Sequence, residues 1–362
     1  MIIKSIELNQ FRNYENVQVN FKNGVNILYG DNAQGKTNIL EAIYIFGTSK
    51  SHRHSKDKEI IKFDHEEAHA RSLFEKNGVD YQIDMLLRKE KSKGIAINGV
   101  KLKKASELLG IANIIIFSPE DLSIIKNGPS EKRRFVDSEL CQLDKVYLYN
   151  LTNYNKIVNQ RNDLLKDILF HPELKETLDV WDEQLVALGK KIISRRELFV
   201  NELNNIISYI HKSLSGGKED LSIKYDPNVL IENYEEKIKR NREKDIKYKL
   251  TSVGPHRDDF IFYINGMYIK KYGSQGQQRT AALSLKLSEI ELIKTIVGTT
   301  PILLLDDVLS ELDTNRQNFL LGYIGDIQTI VTCTGLDEFI DSRLKIDQVF
   351  HVADGNVTKY DA

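Results

Sequence analysis

The chain has 362 residues, of which 41% are hydrophobic and 28% charged. This length predicts two or three domains, and this composition is ordinary for globular proteins and argues against a disordered chain. Because 51 basic and 52 acidic residues give a net charge of −1, a surface that binds nucleic acid must be a local basic patch. Two distant cysteines exclude a disulfide framework, and no apolar run reaches the roughly 18 residues of a membrane helix. The N-terminal segment lacks the layout of a signal peptide. We therefore expect a cytoplasmic protein that does not enter a membrane.

The first hundred residues are predicted to form short strands joined by tight turns. The N-terminal segment MIIKSIELNQFRNYENV alternates as a strand does. Asn-Gly pairs favour the two positive-φ positions of a hairpin turn. Such pairs lie between apolar runs at four places: Asn23-Gly24, Asn77-Gly78, Asn98-Gly99 and Asn265-Gly266. The sequence therefore predicts antiparallel hairpins in its first and last thirds.

A strand, a glycine-containing loop and a helix are predicted in succession near the N-terminus. The apolar run 25–29 leads into GDNAQGKT, and the helical run NILEAIYIFG follows. This is the G-x-x-x-x-G-K-[ST] pattern in its strand–loop–helix context, where backbone N–H groups, a lysine and a hydroxyl meet phosphates and Mg²⁺. The alternative, a glycine loop arising by chance, is disfavoured by the flanking strand and helix. The candidate nucleotide-binding residues are Gly30, Asp31, Asn32, Ala33, Gln34, Gly35, Lys36 and Thr37.

The middle third carries apolar residues at helical spacing. One stripe runs over 136–158, and a second resumes after Pro172 and runs over 174–192. We expect two long antiparallel helices, with Pro172 in the first turn of the second. A shorter charged helix is expected over 233–247. The short stripes favour a helical subdomain over a rod-like coiled coil.

A polar loop, SQGQQ at 274–278, precedes a helical run that starts at Thr280. The N-terminus of a helix can receive an anion, so this loop is a candidate anion site. Taken alone, the residues favour an ordinary helix cap by Ser274 or Thr280.

An apolar run over 301–305 ends in two carboxylates, Asp306 and Asp307. Such an apolar run is typical of a parallel strand that is buried on both faces. Open α/β sheets bind ligands at the carboxyl ends of such strands. Asp306 is the candidate partner of Mg²⁺, and Asp307 is the candidate group that polarises the attacking water. Two solvated aspartates in a loop are the alternative. The run 328–332 is predicted to be the neighbouring strand.

The order of these three segments resembles the ABC-type ATPases, whose signature loop is Leu-Ser-Gly-Gly-Gln. The long separation of Lys36 from Ser274 resembles the spacing in the branch of this family that carries a helical insertion, the chromosome-maintenance (SMC-type) heads. Within that branch, FRNY at 11–14, SPEDLSIIKNGPSEKRRFVD at 118–137 and GPHRDD at 254–259 resemble the RecF family of recombination mediators. The resemblance extends over essentially the whole chain.

The resemblance implies an α/β fold, an ABC/SMC-type P-loop ATPase head with antiparallel β-hairpins and a short helical arm. We expect residues 1–130 and 250–362 to form the head and residues 131–249 the arm. The resemblance further implies a weak ATPase that uses ATP and Mg²⁺ and dimerises with two nucleotides sandwiched between heads. Such a protein would bind single-stranded and gapped or junction DNA and act with RecO- and RecR-like mediators in gap repair, replication and the SOS response.

The resemblance also assigns roles to residues. Three sets follow from it: catalytic Asp307, Lys36 and Glu120; metal ligands Thr37 and Asp306; and Ser274, Gly276 and Gln277, which would reach the γ-phosphate bound by the other subunit. Two departures from the family pattern suggest slow hydrolysis. Asp307 stands where most ABC ATPases have Glu, and Thr332-Cys333-Thr334 occupies the place of the switch histidine.

Two other functions are the alternatives to this one. A structural, chromosome-organising SMC-like ATPase would need a long heptad array, and a small-molecule P-loop kinase would lack the SQGQQ segment. Two basic clusters, 132–134 and 237–244, are candidate DNA contacts, with a solvated helix face as the alternative for each.

Overall fold

The computed structural model describes residues 1–335 and 345–360. The chain divides into two compact units, one formed by Met1–Asp121 with Glu289–Ala362 and the other by Leu122–Ser288. The predicted division at 130/131 and 249/250 stays a prediction, and its head range includes 336–344 and 361–362, which lie outside the described residues. Among the described helices, none is both long enough and apolar enough to cross a membrane.

The strands are numbered along the chain through the described residues. They are β1 (Ile2–Phe11), β2 (Tyr14–Asn20), β3 (Val25–Tyr29), β4 (Glu67–Lys76), β5 (Val79–Arg88), β6 (Gly94–Ile97), β7 (Val100–Lys101), β8 (Ile114–Phe117), β9 (Leu221–Asp226), β10 (Asp259–Ile264), β11 (Met267–Tyr268), β12 (Ile302–Asp306), β13 (Thr329–Cys333), β14 (Ile346–Ala353) and β15 (Asn356–Tyr360).

The α-helices are numbered in the same way. They are α1 (Lys36–Thr48), α2 (Asp57–Ile60), α3 (Leu122–Lys126), α4 (Pro129–Leu143), α5 (Lys145–Asp167), α6 (Leu178–Leu214), α7 (Tyr234–Arg240), α8 (Arg242–Tyr248), α9 (Ile269–Tyr272), α10 (Gln275–Val297) and α11 (Thr314–Tyr323).

The first unit contains two sheets with α1 packed between them. One sheet is antiparallel, in the order β2-β1-β4-β5-β6-β7, and the other has the order β15-β14-β3-β13-β12-β8. In the second sheet β14, β3, β13, β12 and β8 are parallel, and β15 pairs antiparallel with β14 at one edge. Apolar side chains of α1, such as Ile39, Leu40 and Ile43, are fully buried in the core that both sheets share. This arrangement places the carboxyl ends of β3, β13 and β12 side by side.

Three of the four predicted hairpin turns are confirmed. Asn77-Gly78, Asn98-Gly99 and Asn265-Gly266 each have positive φ at both residues and join paired antiparallel strands. The hairpin at Asn23-Gly24 is wrong, because β2 pairs within the antiparallel sheet whereas β3 belongs to the other sheet. Gly24 has φ 123°, and a Cβ there would lie 2.1 Å from Asp347 Oδ2. This glycine therefore allows the chain to cross between sheets beside β14.

The second unit contains the long helices and a small sheet of β11, β10 and β9. Helices α5 and α6 pack antiparallel, as predicted, since Arg161 near the end of α5 pairs with Asp182 near the start of α6 at 2.8 Å. The first predicted stripe is divided at Asp144, whose side chain accepts the N–H groups of the first turn of α5. Pro172 starts a separate 3₁₀ turn, and α6 begins at Leu178, so the position predicted for this proline is wrong.

The charged segment 233–247 forms two short helices, α7 and α8, separated at Asn241, and not the single predicted helix. Buried charges in this unit are paired. Arg161 also binds Asp245, and Arg196 binds Asp258 and Asp137 at 2.8 and 2.7 Å. Such pairs compensate charges that burial would otherwise penalise by several kcal/mol, and they connect α5 and α6 to the segments around Asp245 and Asp258.

Candidate nucleotide-binding site

The predicted phosphate loop lies between β3 and α1 and depends on two glycines. Gly30 has φ 152° and Gly35 has φ 115°. A Cβ at Gly30 would lie 2.2 Å from the carbonyl oxygen of Val352, and one at Gly35 would lie 2.6 Å from Asn13 Nδ2. Gly35 precedes α1, and none of the described side chains caps this helix. The N–H groups of its first turn therefore point into the loop, as phosphate binding requires.

The Lys36 side chain is held over this loop. It is 4% exposed, and its ammonium donates to the carbonyl oxygens of Gly30 at 2.6 Å and Asp31 at 3.0 Å. The loop thus curls around the charge that would face the β- and γ-phosphates.

The residues predicted to hold Mg²⁺, which form the metal side of the site, lie on α1 and β12. Thr37 Oγ1 donates to Asp306 Oδ1 at 2.9 Å, and Thr332 Oγ1 donates to the same oxygen at 2.9 Å. Burial raises the pKa of the Asp306 carboxyl above its ordinary value, against the effect of these hydrogen bonds. The hydroxyl and carboxylate oxygens are hard donors that suit Mg²⁺, so Thr37 and Asp306 fit the predicted metal.

Asp307 stands next to the metal side in a constrained backbone. Its φ is 51°, a left-handed value that is uncommon for a residue other than glycine. Its N–H donates to Thr332 Oγ1 at 2.9 Å, and its carbonyl oxygen accepts from Ser310 Oγ at 2.8 Å. Backbone contacts therefore hold Asp307 while its carboxylate stays half-exposed.

Glu120 occupies an exposed 3₁₀ turn, Pro119–Asp121, that follows β8. Since β8 pairs parallel with β12, this turn and the two aspartates lie at the same end of the sheet. The negative charge of Glu120 is one of the lesser causes that raise the pKa of Asp306. The structure thus brings Lys36, Thr37, Asp306 and Asp307 together, with Glu120 within electrostatic reach.

Side-chain hydrogen bonds that hold the phosphate loop in place were not predicted. Asn13 Nδ2 donates to the carbonyl oxygen of Gln34 at 2.9 Å, and Asn13 Oδ1 accepts from Asn38 at 2.8 Å. The Gln34 side chain in turn accepts the N–H of Asp354 at 2.7 Å. The FRNY segment was the available signal, because it contains Asn13.

A buried ion pair supports the same helix. Arg12 donates twice to Glu41 of α1, at 2.7 Å to each carboxylate oxygen. Burial opposes ionisation of Glu41, yet hydrogen bonds from Arg12 and Ser51 hold its pKa below the ordinary value. Beside it, burial lowers the pKa of His52 to about 4, so this imidazole is neutral at pH 7.

The SQGQQ segment belongs to the second unit and forms the N-terminus of α10. Ser274 Oγ accepts the N–H of Gln277 at 3.2 Å, and Gln277 Oε1 accepts the N–H of Ser274 at 2.8 Å. This reciprocal cap confirms the capping interpretation for Ser274. Thr280 instead donates to the carbonyl oxygen of Gly276. Ser274 is exposed and Gly276 and Gln277 are half-buried, so the loop presents its hydroxyl outward.

In the first basic cluster two of the three side chains are engaged within the protein, whereas Arg134 is exposed. Lys132 is 2% exposed and donates to Asp259 at 3.1 Å. Arg133 donates to the carbonyl oxygen of Asp258, and burial lowers the pKa of its guanidinium. In the second cluster, Arg242 is bound by Asp179 and Asp182.

Comparison with known proteins agrees with this geometry. The family model of the RecF/RecN/SMC N terminal domain matches residues 2–358. The DNA replication and repair protein RecF of Lachnospira eligens is 62% identical over 99% of both chains, and that of Agathobacter rectalis is 60% identical over 100% of both.

Solved structures give the same result. The recombination mediator protein RecF with ATP, from the RecFOR pathway, has a TM-score of 0.92 and 38% identity and covers 99% of both chains. An Smc head domain from Pyrococcus furiosus, at TM-score 0.57 and 17% identity, covers 99% of this chain and 95% of that one and shares the fold. The predicted ATPase-head fold is thus confirmed, and the chain belongs to the RecF family.

Proposed function

We propose that this protein is an ATP-dependent DNA-binding switch of recombinational repair. In this proposal two copies close around two ATP molecules, hydrolyse them slowly and act at single-strand gaps, in replication and in the SOS response. RecO- and RecR-like mediators are the proposed partners, in keeping with the RecFOR pathway of the ATP-bound relative. The proposed location of this activity is the cytoplasm.

The observation that carries the proposal is the loop from Gly30 to Thr37, closed by Asp306. Bound ATP with Mg²⁺ would supply the phosphoanhydride and the charge that polarises it. The chain's own groups bind and orient: Lys36 and the α1 N–H groups receive phosphate oxygens, and Thr37 and Asp306 hold the metal side. The relative solved with ATP supports the choice of nucleotide.

Slow hydrolysis is supported by the position of Asp307. Its side chain is one methylene shorter than that of Glu, and its backbone is held by Thr332 and Ser310. The carboxylate therefore has little freedom to approach a water molecule that would attack the γ-phosphate. Glu120 is proposed to sense that phosphate from the neighbouring turn.

The nucleotide sandwich is supported by the loop at the start of α10. Its exposed Ser274 hydroxyl and the backbone at Gly276 can donate to phosphate oxygens, and Gln277 completes the loop. Because the exposed Ser274 hydroxyl lies at the N-terminus of α10, where an anion can bind, we assign this loop to the nucleotide of a second copy.

The other candidate functions are less well supported. Helices α5 and α6 span 23 and 37 residues, which is short for the rod of a chromosome-organising protein. A small-molecule kinase would not need a capped SQGQQ loop.

Sedimentation velocity with ATP, with ADP and without nucleotide tests the proposal, followed by binding to a fluorescent gapped duplex. We expect dimers and tight DNA binding with ATP but not with ADP or without nucleotide. The affinity for DNA should fall steeply as the salt concentration rises, because phosphate contacts release counterions. The variant Ser274→Arg should bind ATP as a monomer and fail to dimerise. The matched variant Thr295→Arg, which places the same cation near the other end of α10, should behave like the wild type. A wild type that stays monomeric with ATP, or DNA binding that ignores ATP and salt, would contradict the proposal.

A further inference from the structure

The segment that follows α6 places one carboxylate, Glu219, in a fixed position. The backbone N–H of Glu219 donates to Ser215 Oγ at 3.2 Å. The next residue, Asp220, exchanges hydrogen bonds with Asn265, at 2.8 Å to its side chain and 2.9 Å to its backbone. Both sides of Glu219 are therefore anchored, so its side chain is directed by the fold.

The Glu219 carboxylate contacts the SQGQQ loop directly. Its Oε1 accepts from Gln277 Nε2 at 2.8 Å. Since Gln277 Oε1 already accepts the N–H of Ser274, the amide of Gln277 bridges Glu219 and the first residue of the loop. A hydrogen bond to a charged acceptor is about twice as strong as a neutral one and selects one rotamer of Gln277.

The second oxygen of the same carboxylate faces α6. Glu219 Oε2 lies 3.3 Å from Nε2 of His211, which is fully buried. His211 Nδ1 lies 2.8 Å from Ser284 Oγ of α10, and this hydroxyl donates to the carbonyl oxygen of Thr280. Ser284 Oγ thus accepts from an Nδ1–H, and the other ring nitrogen attracts the Glu219 carboxylate when it also carries a proton.

We infer that Glu219 is a positioning residue for the SQGQQ loop and that His211 ties this loop to helix α6. The inference rests on the proposed function, in which the loop completes a nucleotide site of a second copy. The Glu219–Gln277 bond holds Ser274 in its exposed position before a second copy arrives, which lowers the entropy lost on closure. A displacement of α6 would move His211 and Glu219 and loosen the loop, so a partner that binds the arm can alter ATP-dependent dimerisation.

Substitution of Glu219 tests the first part. We expect Glu219→Ala to raise the dissociation constant of the ATP-bound dimer by about tenfold, the effect of losing one charge-assisted hydrogen bond. ATP binding to the monomer should not change. Asp220→Ala, which removes the neighbouring exposed carboxylate, is the control and should dimerise like the wild type. Glu219→Gln keeps an acceptor for Gln277 and should restore most of the dimer affinity.

Hydrogen exchange gives a readout that needs no dimer. The amides of Ser274 and Gln277 should exchange faster in Glu219→Ala than in the wild type, without a change in the unfolding midpoint. Unchanged exchange and unchanged dimerisation would overturn the positioning role. A wild type that does not dimerise with ATP would instead refute the proposed function, and the exchange measurement would still decide the role of Glu219.

The link to α6 is tested by a double-mutant cycle. His211→Gln alone should weaken the dimer and speed loop exchange, and its combination with Glu219→Ala should add little, because both act through one contact. Fully additive effects, or a His211→Gln variant with wild-type loop exchange and dimerisation, would overturn the link.

Discussion

The hydroxyl of Thr332 lies 2.9 Å from Asp306 Oδ1 and 2.9 Å from the backbone nitrogen of Asp307. One side chain of β13 therefore fixes the Asp306 carboxylate and the backbone of Asp307 at the end of β12. Thr332 occupies the region where the family pattern places a switch histidine. A buried hydroxyl cannot titrate near neutral pH, so this position holds the aspartates and transfers no proton.

Replacement of Thr332 by valine should reduce hydrolysis more than binding. The shape of the side chain is kept, but Asp306 loses a donor and Asp307 N–H loses an acceptor, at a cost of about 1–3 kcal/mol. We expect phosphate release to fall about tenfold or more, with ATP affinity within a few-fold of the wild type. Thr329→Val in the same strand is the control, because Thr329 donates to the carbonyl oxygen of Ile327. Equal turnover in the two variants would refute this role.

The Lys36→Ala variant removes the charge that the loop surrounds. Without an ammonium to receive the β- and γ-phosphates, ATP binding should weaken by at least about a hundredfold, and dimerisation should be lost at cellular ATP concentrations. Equilibrium titration with a fluorescent ATP analogue measures the loss. Lys58→Ala, an exposed lysine on α2, is the comparison. Wild-type affinity in Lys36→Ala would show that nucleotide binds elsewhere.

Asp307→Asn keeps the size of the side chain and removes its charge. Thr37 and Asp306 remain to hold the metal side, so ATP should still bind. An amide is not a base, so phosphate release should fall by roughly 10²-fold or more, and the ATP-bound dimer and its DNA complex should live longer. Single-turnover phosphate release and dissociation kinetics measure these two effects. Normal hydrolysis would move the catalytic role to another residue, and loss of ATP binding would make Asp307 a metal or structural residue.

The Arg12–Glu41 pair predicts an acid-sensitive contribution to stability. The pKa of Glu41 is lower in the folded protein than in the unfolded chain, so its contribution is complete above the unfolded pKa and is lost as pH falls through the folded one. Glu41→Gln should lower the free energy of unfolding at pH 7 by on the order of 3 kcal/mol, because Arg12 loses its partner. Urea unfolding at pH 7 and near pH 4 should show a smaller difference in acid. A difference that does not change with pH would contradict this.

The phosphate loop could be predicted because all the residues that form it are close together in the sequence. The strand, the loop from Gly30 to Thr37 and the helix are contiguous, and glycine is required where a Cβ would meet Val352 or Asn13. The same holds for the hairpins at Asn77-Gly78 and Asn98-Gly99, where each turn joins neighbouring strands.

Other features depend on pairings that a local pattern does not contain. Asn23-Gly24 looks like a hairpin turn, but the partners of β3 come from the last forty or so residues. Lys132 lies in a basic run and is buried because Asp259 of β10 binds it. Glu219 carries no motif and acquires its position only when α6 and α10 come together.

The strand order around the phosphate loop also governs when the site can form during synthesis. Strand β3 leaves the ribosome early, but both of its neighbours, β13 and β14, are made about 300 residues later. Until then β3 and α1, with Lys36 and Thr37, lack the parallel sheet that joins β3 through β13 to the strand carrying Asp306. Leu122–Ser288 is contiguous and complete well before that point. Nucleotide can therefore stabilise this site only after β12 and β13 have been made.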